Sequence, residues 1–147
     1  MNAPAFTLRP STDADFVFMR DTKLDGLEPY VCAIWGWDRD TQAQKARDEF
    51  DPRGRWIVVC DRADAGYIHL EQSDDVVTLV GIYIVASMRR RGLGAALIQT
   101  VIDDARAEGK PVALRVLKPN PARRLYERLG FRIVHETPER YFMQRQR

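Results

Sequence analysis

The ten residues "VVTLVGIYIV" (Val76–Val85) are nearly all apolar, and "SMRRRGLG" follows them at once. A run of strand length without polar alternation predicts a central strand buried on both faces. After the arginines, Leu93, Leu97, Val101 and Ala105 recur at four-residue spacing, so a helix begins there and ends near Gly109 and Pro111. "VALRVL" (Val112–Leu117) is the next strand. Strand, helix, strand in this order predicts a right-handed parallel crossover.

The flanking segments complete a mixed sheet. "FTLRP" (Phe6–Pro10) reads as a first strand, with Thr12 and Asp15 capping a helix from about Asp13 to Leu24. Pro29 is expected to interrupt the chain before a second helical stretch, a turn at Gly36 and a helix from Asp40 to Phe50. "RWIVVCD" (Arg55–Asp61) and "GYIHLEQ" (Gly66–Gln72) are strands joined by a tight connection, with Tyr67, His69 and Glu71 on one face of the second. Ala122, Leu125, Tyr126 and Leu129 form one helical stripe that Gly130 ends. "FRIVHE" and "RYFMQRQ" close the chain as two strands around Pro138. The predicted fold class is α/β (α+β): a mixed, mostly antiparallel sheet with one parallel pair, strands four and five, flanked by helices. A single domain spans residues 1–147.

The position of "RRRGLG" matters more than its charge. The first amides of a helix lack internal partners, and the helix dipole adds positive potential there. Gly92 and Gly94 clear side chains from that point, which suits a phosphate or pyrophosphate held by backbone N–H groups. Arg89, Arg90 and Arg91 add charge. A Walker loop is absent, and a Rossmann fingerprint counted from Gly92 fails at Leu97. Nucleic-acid binding through Arg89–Arg91 and Arg123–Arg124 conflicts with a formal net charge of only +2, from 23 basic and 21 acidic residues.

"IYIVASMRRRGLGAALIQTVIDDA" resembles the acyl-CoA-binding segment of the GNAT superfamily of N-acyltransferases, which carries an Arg/Gln-x-x-Gly-x-Gly/Ala loop between its fourth strand and third helix. Arg89, Gly92 and Gly94 match that loop. "NPARRLYERLGF" is similar to the family's second signature near the C-terminus. The resemblance implies that the loop from Arg90 through Leu93 to Ala95 holds the coenzyme A pyrophosphate. It implies that the backbone of Ile82, Tyr83 and Ile84 pairs with the pantetheine arm, in a cleft opened where the parallel strands splay. Asn120 is the implied pantetheine partner, although its separation from Tyr126 is one residue shorter than in many relatives.

The implied reaction is direct transfer of an acetyl group from acetyl-CoA, a cosubstrate, to a primary amine in a ternary complex. The amine must be neutral, strand N–H near Ile84 would polarise the thioester carbonyl, and Tyr126 is the implied acid for the leaving thiolate. Tyr126 also reads as a plain member of its apolar stripe. Several relatives place a glutamate on the fourth strand where this chain has Thr78. The remaining base candidates are Glu71 and His69, which also read as a solvated strand face, and Glu28; water relayed through the cleft is an alternative. Tyr30, Trp35 and Trp37 crowd one short stretch, either lining an acceptor site or forming a helix–helix contact. Gly81 is expected to leave room in the acceptor pocket.

The expected acceptor is a small-molecule amine, with a protein N-terminus or lysine as the alternative. A non-catalytic acyl-CoA-binding module is the other reading, prompted by Thr78. Cys32 and Cys60 stand alone in apolar settings and read as two buried thiols, without metal-ligand spacing. No apolar run reaches the ~18 residues of a membrane span, and "MNAPAFTLRP" lacks a secretory pattern. A cytoplasmic protein without metal, nucleic-acid or membrane partners is expected; the resemblance leaves both a monomer and a homodimer, frequent in the family, open.

Overall fold

A computed structural model describes residues 4–146. Seven strands form one sheet in the order β1-β2-β3-β4-β5-β7-β6. They are β1 (Thr7–Pro10), β2 (Arg55–Cys60), β3 (Ala63–Gln72), β4 (Val77–Ile84), β5 (Val112–Leu117), β6 (Arg132–Glu136) and β7 (Arg140–Arg145). Every pairing is antiparallel except β4 with β5. This is the mixed sheet that the strand–helix–strand pattern predicts.

The helices are α1 (Phe16–Trp35), α2 (Arg39–Glu49), α3 (Leu93–Ala107) and α4 (Ala122–Arg128). The apolar stripe of α3 is buried throughout, from Leu93 to Ala105. It packs with Ile68, Leu79, Leu114, Phe131 and Met143 on one side of the sheet. Full burial of each such large side chain contributes about 1.5–3 kcal/mol. On the other side, Met19 of α1 joins Ile57 and Tyr67, with Phe50 and Tyr83 packed against them.

The start of α1 is tied down by charge. Asp15 accepts from the Thr12 N–H at 2.9 Å and from both terminal nitrogens of Arg9. These bonds, chiefly that of Arg9, hold the Asp15 carboxyl below its ordinary range. A short 3-10 turn, Asp13–Asp15, precedes α1.

Two boundaries depart from the sequence-based expectation. Pro29 does not interrupt the chain; α1 runs through it to Trp35, where Gly36, at φ 79°, ends the helix. Proline removes only the bond to the Asp25 carbonyl, and Asp25 lies on the exposed side of the helix, where water can replace that partner. β3 begins at Ala63 rather than Gly66, because Asp61 and Arg62 make a two-residue hairpin turn at φ 51° and 66°. Cys60 is buried, as expected, and Cys32 is exposed; on the helix that continues through Pro29, Cys32 faces away from the sheet.

Candidate active site

The cleft begins at a fault in the sheet. On β4, Leu79 pairs with Leu70 and Gly81 pairs with His69, so Val80 is an extra, unmatched residue. Such a bulge bends its strand. β4 and β5 are paired only from Val77 to Leu79, against Val112 to Leu114. Beyond that point β4 stays with β3 as far as Ile84, and β5 stays with β7 as far as Leu117. The two parallel strands therefore part at the bulge.

The open edge of β4 carries usable backbone groups. Val85 N–H bonds to Ala65 C=O on β3. Alternation along an antiparallel ladder then turns the N–H and C=O of Ile82 and Ile84 away from β3; of these the Ile84 C=O is taken by Arg89, which leaves both groups of Ile82 and the Ile84 N–H open.

At the end of this edge the chain turns into α3. Arg90 and Gly92 adopt left-handed φ of 62° and 79°. The first intrahelical bond runs from Ala96 N–H to Gly92 C=O, so the amides of Leu93, Gly94 and Ala95 precede the ladder. A Cβ on Gly94 would meet only the Ile84 Cδ1 at 3.7 Å, an ordinary contact. Packing alone does not demand this glycine, and a ligand approaching the backbone would.

The three arginines differ. Arg89 donates from Nε to Ile84 C=O at 2.8 Å and pairs with Asp25 of α1 at 2.7 Å. Arg91 donates to the Met88 sulfur at 3.2 Å. Arg90 is exposed and makes no ion pair among the described residues.

A cavity of about 500 Å³ opens on the α1–α2 side of the splay. Among the residues singled out from sequence, Gly81, Ile82, Tyr83, Asn120, Tyr126 and Trp35 line it. Glu28, Tyr30, Trp37, His69 and Glu71 are not among its lining residues. Glu28 and Glu71 are exposed. Tyr30 nevertheless lies close enough to raise the Tyr126 phenol.

Tyr126 is 7% exposed and packs edge-on against Phe131, with ring centroids 5.9 Å apart. Its hydroxyl has no hydrogen-bond partner among the described residues, and no buried side-chain polar atom is left without one. The oxygen therefore meets the cavity rather than the core. Burial, with Tyr30 adding to it, pushes the phenol up to about 12. It stays protonated at neutral pH.

The space a side chain at position 81 would fill is taken by Tyr83, although Gly81 itself lines the cavity. A Cβ there would stand 2.6 Å from the Tyr83 ring and 2.7 Å from its hydroxyl. The ring of Tyr83 folds back over Gly81 and packs against Tyr67, with ring centroids 5.1 Å apart and planes tilted by 43°. Residues two apart share a strand face, a cue the sequence already held. Burial, then Tyr126, pushes the Tyr83 phenol up to about 12. Asn120 accepts from Ala122 N–H at 2.9 Å, which engages its side-chain oxygen in the turn before α4.

His69 sits 3.5 Å from Glu71, but burial, then Arg55, pushes its imidazole down to about 4. It is neutral at pH 7, so this contact is no ion pair. Both groups belong to the far end of β3 from the loop.

Sequence reasoning missed the charged lining. Lys23 of α1, Lys45 and Glu49 of α2, Arg115 of β5 and Arg140 of β7 all reach the cavity. Among the described residues Glu49 is its only lining carboxylate. No local pattern marks these residues, since four separate elements bring them together. Among the described residues no group of three or more His, Cys, Asp or Glu side chains is gathered to hold a metal, and no helix is long and apolar enough to cross a membrane.

Comparisons with known proteins agree with this geometry. Residues 24–131 match the Acetyltransferase (GNAT) family. The chain is 34% identical over 82 residues to "Probable N-acetyltransferase camello" of Xenopus laevis, a match covering 52% of this chain and 37% of that protein. The chain thus spans little more than a third of that relative's length. The fold is similar to the PaiA N-acetyltransferase of Thermoplasma acidophilum, crystallised with coenzyme A, at a TM-score of 0.79 and 12% identity over 97% of this chain and 99% of that one. It is similar to a GCN5-related N-acetyltransferase of Kribbella flavida at 0.69 and 22% identity, over 97% and 98% of the two chains. The bulged β4, the glycine loop and the family match over most of the chain lead to one conclusion: this protein belongs to the GNAT acetyltransferase family.

Proposed function

We propose that the protein is an acetyl-CoA-dependent N-acetyltransferase acting on the primary amine of a small-molecule acceptor. The observation that carries this reading is the order of groups along β4. Tyr126 and Ile82 line one cavity, the unpaired edge of β4 runs on from Ile82 to Ile84, and the chain then turns into the free helix-start amides of Leu93–Ala95. The coenzyme complex of the Thermoplasma relative adds support for an acyl-CoA ligand.

In this reading the pyrophosphate rests on the helix start, with Arg90 contributing charge. Arg89 braces the loop and leaves phosphate contact to its neighbours. The pantetheine pairs with the backbone of Ile82 and Ile84, and an N–H from this edge polarises the thioester carbonyl. The amine lone pair attacks the carbonyl carbon, the C–N bond forms and the C–S bond breaks. The leaving sulfur takes the Tyr126 proton. The proton shed by the ammonium passes to Glu49, directly or through water, since Glu49 is the carboxylate facing this space.

The test is calorimetry with acetyl-CoA together with a thiol-release assay over a panel of amines. Binding with turnover of at least one free amine is expected. Tight binding with no turnover on any amine would point instead to an acyl-CoA-binding module.

A further inference from the structure

The cavity on the α1–α2 side has a lopsided charge. Lys23, Lys45, Arg115 and Arg140 line it, against the single carboxylate of Glu49. None of the four cations forms an ion pair among the described residues. Cations without an ion pair, such as Arg90, occur elsewhere on the surface; what sets these four apart is that they share one cavity with a single carboxylate.

Lys23 is the most constrained of the four. It rises from α1 to stand 6.0 Å from the Tyr83 ring centroid and shares the cavity wall with Val80 and Gly81. Desolvation lowers its pKa, Glu49 opposes that, and Arg55, Lys45 and Arg115 reinforce it. A half-buried ammonium among other cations is costly unless something negative shares the space. Arg140 faces its neighbours similarly: its guanidinium lies 5.3 Å from the Trp35 ring, held in place without a carboxylate. The pyrophosphate of a coenzyme does not answer this need, since its loop lies beyond the far end of β4, after Val85.

We propose that the acceptor carries a carboxylate as well as its amine: an amino acid with an apolar side chain, whose carboxylate is held by Arg115 and Lys23. The apolar portion is matched by Leu24, Leu27, Val31 and Trp35 on the same wall. Glu49 then faces the ammonium end. The guanidinium of Arg115 offers the planar, bidentate geometry that a carboxylate accepts. The assignment rests on the N-acetyltransferase reading only for the fate of the amine; the charge preference of the cavity stands apart from turnover.

The experiment separates the two. Calorimetry with the coenzyme A-loaded protein compares N-acetylphenylalanine with N-acetylphenethylamine, which differ by the carboxylate. The acid should bind at least tenfold more tightly, and Arg115→Met or Lys23→Met should bring the two within about threefold. Circular dichroism and coenzyme A affinity of the variants show that the fold is intact. In parallel, thiol release from acetyl-CoA compares phenylalanine with phenethylamine, and the acid should have the higher kcat/KM by a similar factor. Equal binding of the two products, preference for the uncharged one, or binding of neither overturns the carboxylate assignment. Preferred binding of the acid with no turnover of either amine overturns the N-acetyltransferase reading and leaves the charge preference standing.

Discussion

Arg89 reaches back five residues to donate to the Ile84 carbonyl at 2.8 Å, while its other arm holds Asp25 of α1 at 2.7 Å. The signature arginine of the loop is thus a brace, fixing the turn against both the strand before it and the helix above it. Removing it should loosen the amide cradle. Arg89→Ala is expected to weaken coenzyme A binding about 5–10-fold, in line with a lost charge-assisted hydrogen bond of about 1–1.5 kcal/mol. Arg90→Ala should weaken binding through lost charge, and that loss should shrink at high salt. Titration calorimetry at two ionic strengths separates them: the Arg89 effect should persist, and an equally screened response for both would remove the bracing role.

The two loop glycines should fail differently. Gly92 holds a left-handed φ of 79°, so Gly92→Ala should destabilise the fold by about 1–2 kcal/mol. Gly94 lies in the first turn of α3, and its added Cβ would meet Ile84 Cδ1 at an ordinary 3.7 Å. Gly94→Ala should therefore leave urea stability within about 0.5 kcal/mol and still weaken coenzyme A binding. Gly94→Trp should abolish binding. A Gly94→Trp protein that binds coenzyme A normally would mean that the pyrophosphate lies elsewhere.

The legible parts of the chain are those whose signal is local. β5 runs from Val112 to Leu117 in the sequence and in the structure alike, and α3 follows its four-residue apolar spacing. Gly130, at φ 96°, ends the last helix where a left-handed stop was expected. What escaped was set by tertiary packing. α1 passes Pro29 because the lost bond falls on its exposed side, which periodicity could not reveal in so weakly amphipathic a helix. Lys23, Glu49 and Arg115 sit far apart in sequence, and no motif links them. Only the packing of α1 and α2 over the splay gives them a common space. The splay itself depends on the Val80 bulge, and a continuous apolar run hides such an insertion, because every position in it reads alike.

His69 gives the fold an acid sensitivity. Its imidazole is held down to about 4 by burial, then by Arg55, and is opposed by Glu71. An unfolded histidine titrates near 6.5. Between these values the unfolded chain binds the extra proton, so stability is full above about pH 6.5 and declines as pH falls toward about 4. Solvent screening limits the loss to about 1–2 kcal/mol. Urea denaturation of the wild type and His69→Gln at pH 7.5 and pH 5 should show a smaller decline in the variant. Parallel declines would assign the acid sensitivity to other groups.

Tyr126 carries the sharpest catalytic prediction. Its ring is core, packed on Phe131, while its hydroxyl has only the cavity to face. Tyr126→Phe keeps the ring and removes no bond within the described protein, so its thermal stability should stay close to that of the wild type. Coenzyme A affinity should stay within about threefold. The leaving sulfur, however, must then depart without a proton donor, and kcat should fall about 100-fold or more. The pH profile tests the assignment further. With the phenol raised to about 12, the wild-type rate should climb as the acceptor amine loses its proton and then hold level to pH 10. Tyr126→Phe should lower that whole curve without moving its rise. An unchanged kcat, or a fall matched by an equal loss of coenzyme affinity, would reduce Tyr126 to a packing residue.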